Sequence, residues 1–267
     1  MATAAPMPFS WLRGEVHADV VIGVVLLAAA YTWATVASRR PAPLGSPIAF
    51  FAGCAALLGA LNGPLHDLSD YYLFSAHMVQ HLILTLVVPP LWLAGTPGWM
   101  LDALVGRAAS LGLQPVLRGL TRPLPAFAVY GGALVAWHLP GPYNAALETH
   151  AWHVVEHLVL LAAAVLGWWP IVARSARLPA LPYAGQLLYL FVFGMPMTVV
   201  AAMVSGAEDV LYPYYAAAPR VFDLTPLADQ RLGGLIMWVP AGIIPVVAFT
   251  VVFFRWAAAE HEADDTA

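Results

Sequence analysis

Long apolar stretches alternate along this chain with short polar, proline-rich ones. A helix that crosses a bilayer needs about 20 mostly apolar residues. Runs of that kind cover 18–37, 47–62, 74–94, 124–140, 152–171, 183–205 and 232–254. The pattern therefore predicts seven spans, the second and fourth of them short. RRPAPLGSP, TRPLP and ARLPALP read as connections. The longest connections, about 95–123 and 206–231, are too short for a separate soluble domain. The first is rich in Gly, Leu and Arg and is expected to lie along the interface as a short amphipathic helix. Pro89-Pro90, Pro196, Pro240 and Pro245 fall inside apolar runs and predict breaks in the third, sixth and seventh helices, with a hydrated cavity above them as one consequence.

Composition agrees with this reading. Hydrophobic residues make up 61% of the chain and charged ones 10%, with a mean hydropathy of +0.76. A soluble domain carries about a quarter charged residues, so a soluble fold is excluded. The fold class is all-α: one polytopic seven-helix membrane domain over residues 1–267, embedded in the lipid bilayer. The net charge of −4 comes without a basic block, so no nucleic-acid partner is expected. One cysteine, Cys54, allows no internal disulfide and reads as a core residue. MATAAPMPFSWLRGEVHADV lacks the basic start and cleavage site of a signal peptide, so the first apolar run is expected to be a membrane helix.

All eleven basic residues are arginine. With the N-terminus outside, Arg39, Arg40, Arg107, Arg118, Arg122, Arg174, Arg177 and Arg255 lie inside, against Arg13, Arg220 and Arg231 outside. This excess predicts an N-out, C-in orientation, with residues 256–267 as an acidic cytoplasmic tail.

On that topology eight of nine histidines fall at the outer face: His17, His66, His77, His81, His138, His150, His153 and His157. His261 alone lies in the tail. His77 and His81 are spaced i,i+4 and share a helix face, as do His153 and His157, with His150 one turn earlier. Ionisable residues within spans are costly and mark functional sites. Two such pairs on neighbouring helices can surround one ion, as in sites built inside helix bundles. The expected metal ligands are His77, His81, His153 and His157, then His138, Asp229 and His66. Glu156 and Asp67 are expected to orient imidazoles from behind.

Imidazole-rich sites suit copper, zinc, iron or nickel, and Cu(I) also accepts thioether, for which Met203 and Met237 would stand at the right depth. The ligand set alone does not choose between copper and zinc. His153-Val154-Val155-Glu156-His157 also matches H-x-x-E-H, in which two histidines hold zinc and the glutamate is a general base. A zinc-dependent membrane hydrolase is one alternative; a protein holding haem b between histidines of facing helices is another. A copper transporter would need a second ligand cluster at the inner end, where there are only scattered methionines.

Several stretches resemble the caa3-type cytochrome c oxidase assembly factor family, the seven-helix CtaG type and not the soluble copper chaperone of the same name. They are Phe74-Ser75-Ala76-His77-Met78-Val79-Gln80-His81, Pro89-Pro90-Leu91, Gly95-Thr96-Pro97, Trp137-His138-Leu139-Pro140, His153 with Glu156-His157, Trp168-Trp169-Pro170, Leu211-Tyr212-Pro213, and Asp229-Gln230 with Gly233-Gly234 and Trp238. The resemblance implies a multi-pass protein of the bacterial plasma (inner) membrane that is not an enzyme and that matures a haem-copper oxidase by handling copper. The implied partners are oxidase subunits and a periplasmic copper chaperone.

Overall fold

A computed structural model describes residues 9–12, 14–40 and 42–264. Arg13 of the orientation count, and residues 1–8 and 265–267 of the expected N-terminal and acidic segments, lie outside the described residues. The chain is 80% helical, and no strand occurs among the described residues.

In chain order the helices are α1 (Ala18–Ser38), α2 (Gly45–Leu61), α3 (Pro64–Tyr71), α4 (Phe74–Gly95), α5 (Gly98–Ser110), α6 (Gln114–Leu120), α7 (Pro123–His138), α8 (Pro140–Glu148), α9 (His150–Val172), α10 (Tyr183–Gly206), α11 (Pro213–Ala217) and α12 (Pro226–Asp264). Five of these, α1, α4, α9, α10 and α12, are long and apolar enough to cross a membrane. A sixth candidate is α2 with α3, bent by 45° at Gly63, whose φ of 73° suits a residue without a Cβ. The remaining expected span, α7, has 16 residues.

Three expectations change. The connection over 95–123 folds into two helices, α5 and α6, instead of one. The last helix runs unbroken from Pro226 to Asp264 through Pro240 and Pro245, so these prolines do not interrupt it and the acidic end is largely helical. In α4 the helix continues past Pro89-Pro90 by way of a wide turn over Ile83–Val87. The reason is a hydrogen-bond account that balances. The Thr85 carbonyl would receive the N–H of residue 89 in an α-turn or of residue 90 in a wide turn, and both are proline. The Trp168 indole N–H, on α9, donates to it instead at 2.9 Å. A neighbouring side chain therefore supplies the missing donor, and no water-filled break is needed there.

Helix α4 is the hub of the bundle. It packs against α2, α3, α9 and α12, and 61% of its apolar window is buried against 11% for α1. Its N-terminus is held from far along the chain. Asp229 of α12 accepts the backbone N–H groups of Phe74 (2.7 Å) and Ser75 (3.1 Å), two donors that a helix start leaves without partners. The next residue, Gln230, accepts from Leu211 N–H (2.7 Å) and donates to the Val204 carbonyl (3.3 Å) at the end of α10. Gly233 makes this approach possible, since a Cβ there would lie 2.4 Å from the Phe74 ring. One short stretch of α12 thus caps two other helices and sets the height of His77 and His81.

Candidate metal centre

The eight histidines expected at one face do meet. Their ring centroids form a continuous series: His150–His17 6.2 Å, His17–His66 4.3 Å, His66–His153 6.2 Å, His153–His157 4.2 Å, His153–His77 5.3 Å, His77–His81 4.3 Å and His81–His138 5.3 Å. His77, His81 and His138 are almost fully buried, while His150 is exposed. Thr149 caps α9, accepting from the Trp152 N–H at 3.4 Å, so the series begins at a defined helix start.

Hydrogen bonding fixes where protons sit on the core rings. Tyr215 donates its hydroxyl proton to the Ser69 carbonyl at 2.7 Å. It must therefore accept from His77 Nδ1, 2.8 Å away, which leaves a lone pair on His77 Nε2. His138 Nδ1 donates to the Leu134 carbonyl at 2.7 Å, which leaves a lone pair on its Nε2. His81 stands between them, with Nε2 2.8 Å from His77 Nε2 and Nδ1 3.4 Å from His138 Nε2. A neutral imidazole has one proton, so His81 can satisfy only one of its two contacts. The other sets lone pair against lone pair unless a second proton or a metal cation is present.

The surroundings repeat that demand. Glu156 is fully buried, and neither of its carboxyl oxygens has a hydrogen-bond partner; one lies 3.8 Å from His81 Nε2. His157 Nε2 and His153 Nε2 are likewise buried and unpartnered. One donor atom from each of His77, His81, Glu156 and His157 lies within 4.8 Å of every other. A second group with the same property is Asp70, His77 and His153. Buried polar atoms without partners are costly; those of Glu156 and His157 meet His77 and His81 in one group, and His153 joins the second, which shares His77.

The expected ligands divide on inspection. His77, His81 and His157 form the first group, His153 joins His77 in the second, His138 abuts the first through His81, and Glu156, expected behind the ligands, stands among them. His66 has both nitrogens in use. The Gln80 amide donates to its Nδ1 at 2.9 Å, so Nε2 carries the proton and faces Asp70 Oδ2 at 3.4 Å. It therefore orients neighbours and does not offer a lone pair. Asp229 spends both oxygens on the cap of α4 and belongs to neither donor group. Asp67 accepts from the Glu15 N–H at 3.0 Å and ties down the segment before α1. Met237 packs in the main core and Met203 is 37% exposed.

Sequence reasoning missed Asp70 and Tyr215. Asp70 Oδ2 lies 3.5 Å from His153 Nδ1, the position that directs a histidine's other nitrogen toward an ion. Its i,i+4 spacing from His66 was the available signal. Tyr215 carried none, because its role depends on a contact across 138 residues of chain.

The fold and this donor set define a polytopic helical membrane protein with a buried histidine–glutamate cluster at one end. Residues 29–259 match the family described as cytochrome c oxidase caa3 assembly factor (Caa3_CtaG), and the chain belongs to that family. It is 24% identical to an uncharacterized protein of Mycobacterium leprae over 271 residues, which cover 91% of this chain and 40% of that protein. An uncharacterized protein of Mycobacterium bovis is also 24% identical, over 90% of this chain and 39% of its own length. The chain thus spans about two fifths of the curated relatives it matches. No solved structure matches it.

Proposed function

We propose that this protein is an assembly factor for a haem-copper cytochrome c oxidase and that it binds a transition metal, copper foremost, through His77, His81, His153, His157 and Glu156. The observation that carries the metal is His81, which faces a lone pair at each nitrogen beside an unpartnered buried carboxylate. Family membership carries the oxidase role. Nitrogen and oxygen donors at this density suit copper and zinc alike; copper is preferred because it is the metal an oxidase must receive. The arginine excess at the other end supports an outward-facing cluster in a bacterial plasma membrane, where oxidase subunits and a copper-carrying partner would meet it.

The compact donor set favours a single ion over haem b, whose iron takes one axial imidazole on each face. A hydrolase would need its base within reach of substrate, and Glu156 does not line the cavity that reaches His153 and His157. Elemental mass spectrometry of wild type and His77→Ala/His157→Ala, after expression with both copper and zinc, tests the reading. Near-stoichiometric copper lost in the double variant supports it. Zinc held in preference, together with peptidase or esterase activity abolished by Glu156→Gln, would replace it with the hydrolase.

A further inference from the structure

A cavity of about 350 Å³ lies between α1, α2, α4 and α9. Its polar lining is His17, Asp19, His66, His150, His153 and His157, and the remaining walls are apolar. It therefore joins the exposed His150 to the two histidines whose Nε2 atoms are buried and unpartnered. His17 Nε2 is also buried without a partner, and the His17 backbone is anchored by its N–H to Asn62 Oδ1 at 2.7 Å. None of this is needed to build the donor set at His77, His81, Glu156 and His157.

We infer that this cavity is the loading path of the site, with His17, His150 and Asp19 as the receiving groups that pass a soft or borderline divalent or monovalent metal cation to His153 and then His157. The inference rests on the metal-binding reading above. A bare cation entering an apolar wall would lose its hydration without replacement, which is prohibitive. Imidazoles spaced a few ångströms apart remove that barrier, because each new ligand can be taken before the last is released. His66 divides the two ends of the path. It stands edge-on to His17 and nearly parallel to His153, with both nitrogens occupied, so it walls the path and is not itself a ligand. The carboxylate of Asp19 at the mouth raises the local concentration of cations.

The test is the time course of metal uptake by purified full-length protein, presented with Cu(I) as its coloured bicinchoninate complex and with Zn(II) bound to a fluorescent chelator. Removing two receiving histidines, His17→Ala/His150→Ala, is expected to slow uptake about tenfold or more while leaving final stoichiometry unchanged. Gly23 lines the cavity, and a Cβ added there meets nothing within 4 Å. Gly23→Phe should therefore obstruct the path and slow uptake without removing any donor, whereas His261→Ala should change nothing. Wild-type rates in both the double variant and Gly23→Phe would overturn the path and leave the metal site standing. A lower final stoichiometry in His17→Ala/His150→Ala would also overturn it, by making those residues ligands. No uptake of either metal by wild type would remove the metal site and the path together.

Discussion

Asp102, beyond the C-terminal end of α9, accepts hydrogen bonds from the Ser175 hydroxyl (2.6 Å) and the Arg177 backbone N–H (3.1 Å). Ser175 in turn accepts from the Leu178 N–H at 3.0 Å. Glu156, near the other end of the same 23-residue helix, has two buried oxygens and no partner. From Glu156 to the end of α9 at Val172 the helix rises roughly 24 Å at 1.5 Å per residue, and Asp102 lies beyond that end. One carboxylate belongs to a knot of hydrogen bonds through Asp102 Oδ1 and the Ser175 hydroxyl that fastens a connection. The other belongs to a cluster with more buried polar atoms than hydrogen-bond partners. Buried groups left incomplete by the fold itself are where chemistry is to be sought.

The largest effect expected from disturbing this contrast is on metal content. His81→Leu removes the ring that faces a neighbour's lone pair at each of its nitrogens and fills its space with an apolar side chain. Metal affinity should fall about a hundredfold or more, while thermal stability in detergent should hold or rise, because the unpaired contact disappears. A large loss of stability with metal unaffected would make His81 structural. Asp229→Ala should do the opposite. It leaves the Phe74 and Ser75 N–H groups buried without acceptors and should cost about 2–3 kcal/mol, read as a lower melting temperature, with Asp229→Asn losing less.

Smaller still is Trp168→Phe, which keeps most of the buried area but strands the Thr85 carbonyl above Pro89-Pro90. A cost of about 1 kcal/mol is expected, again as a melting shift; no shift would mean that water reaches the turn after all. The least effect belongs to Asp102. Its hydrogen bond from Ser175 holds its carboxyl below the usual value of 3.8. The stability it contributes is therefore present above that value and lost as pH falls through its lower, folded one. Melting temperatures of wild type and Asp102→Asn should differ slightly at neutral pH and converge in strong acid, with high salt reducing the difference because Asp102 lies near solvent.

Much of this could be read along the chain. The apolar runs placed α1, α4, α9 and α10 within about two residues, since a bilayer demands length and polarity that few other patterns supply. The i,i+4 spacing put His77 with His81 and His153 with His157, because a helix fixes that geometry locally. Pro240 and Pro245, expected to interrupt α12, do not, and before Pro89-Pro90 the α-helix becomes a wide turn without ending. Proline's missing N–H is a local fact, but what becomes of the freed carbonyl is not: Trp168 lies 83 residues from Thr85.

The division of roles among the polar residues was decided only in three dimensions. Asp229 and Glu156 are both carboxylates near helix starts. One meets the N–H groups of α4 and becomes a cap; the other meets imidazoles and is left open. His66 and His153 both stand beside Asp70, yet Gln80 occupies the nitrogen that would have made His66 a donor. Sequence determined that this protein crosses a membrane and gathers histidines at one end, because hydropathy and helical period act within a few turns. Which of those histidines retain a free lone pair was settled by hydrogen bonds between distant segments, and a lone pair is available only where no such bond has claimed it.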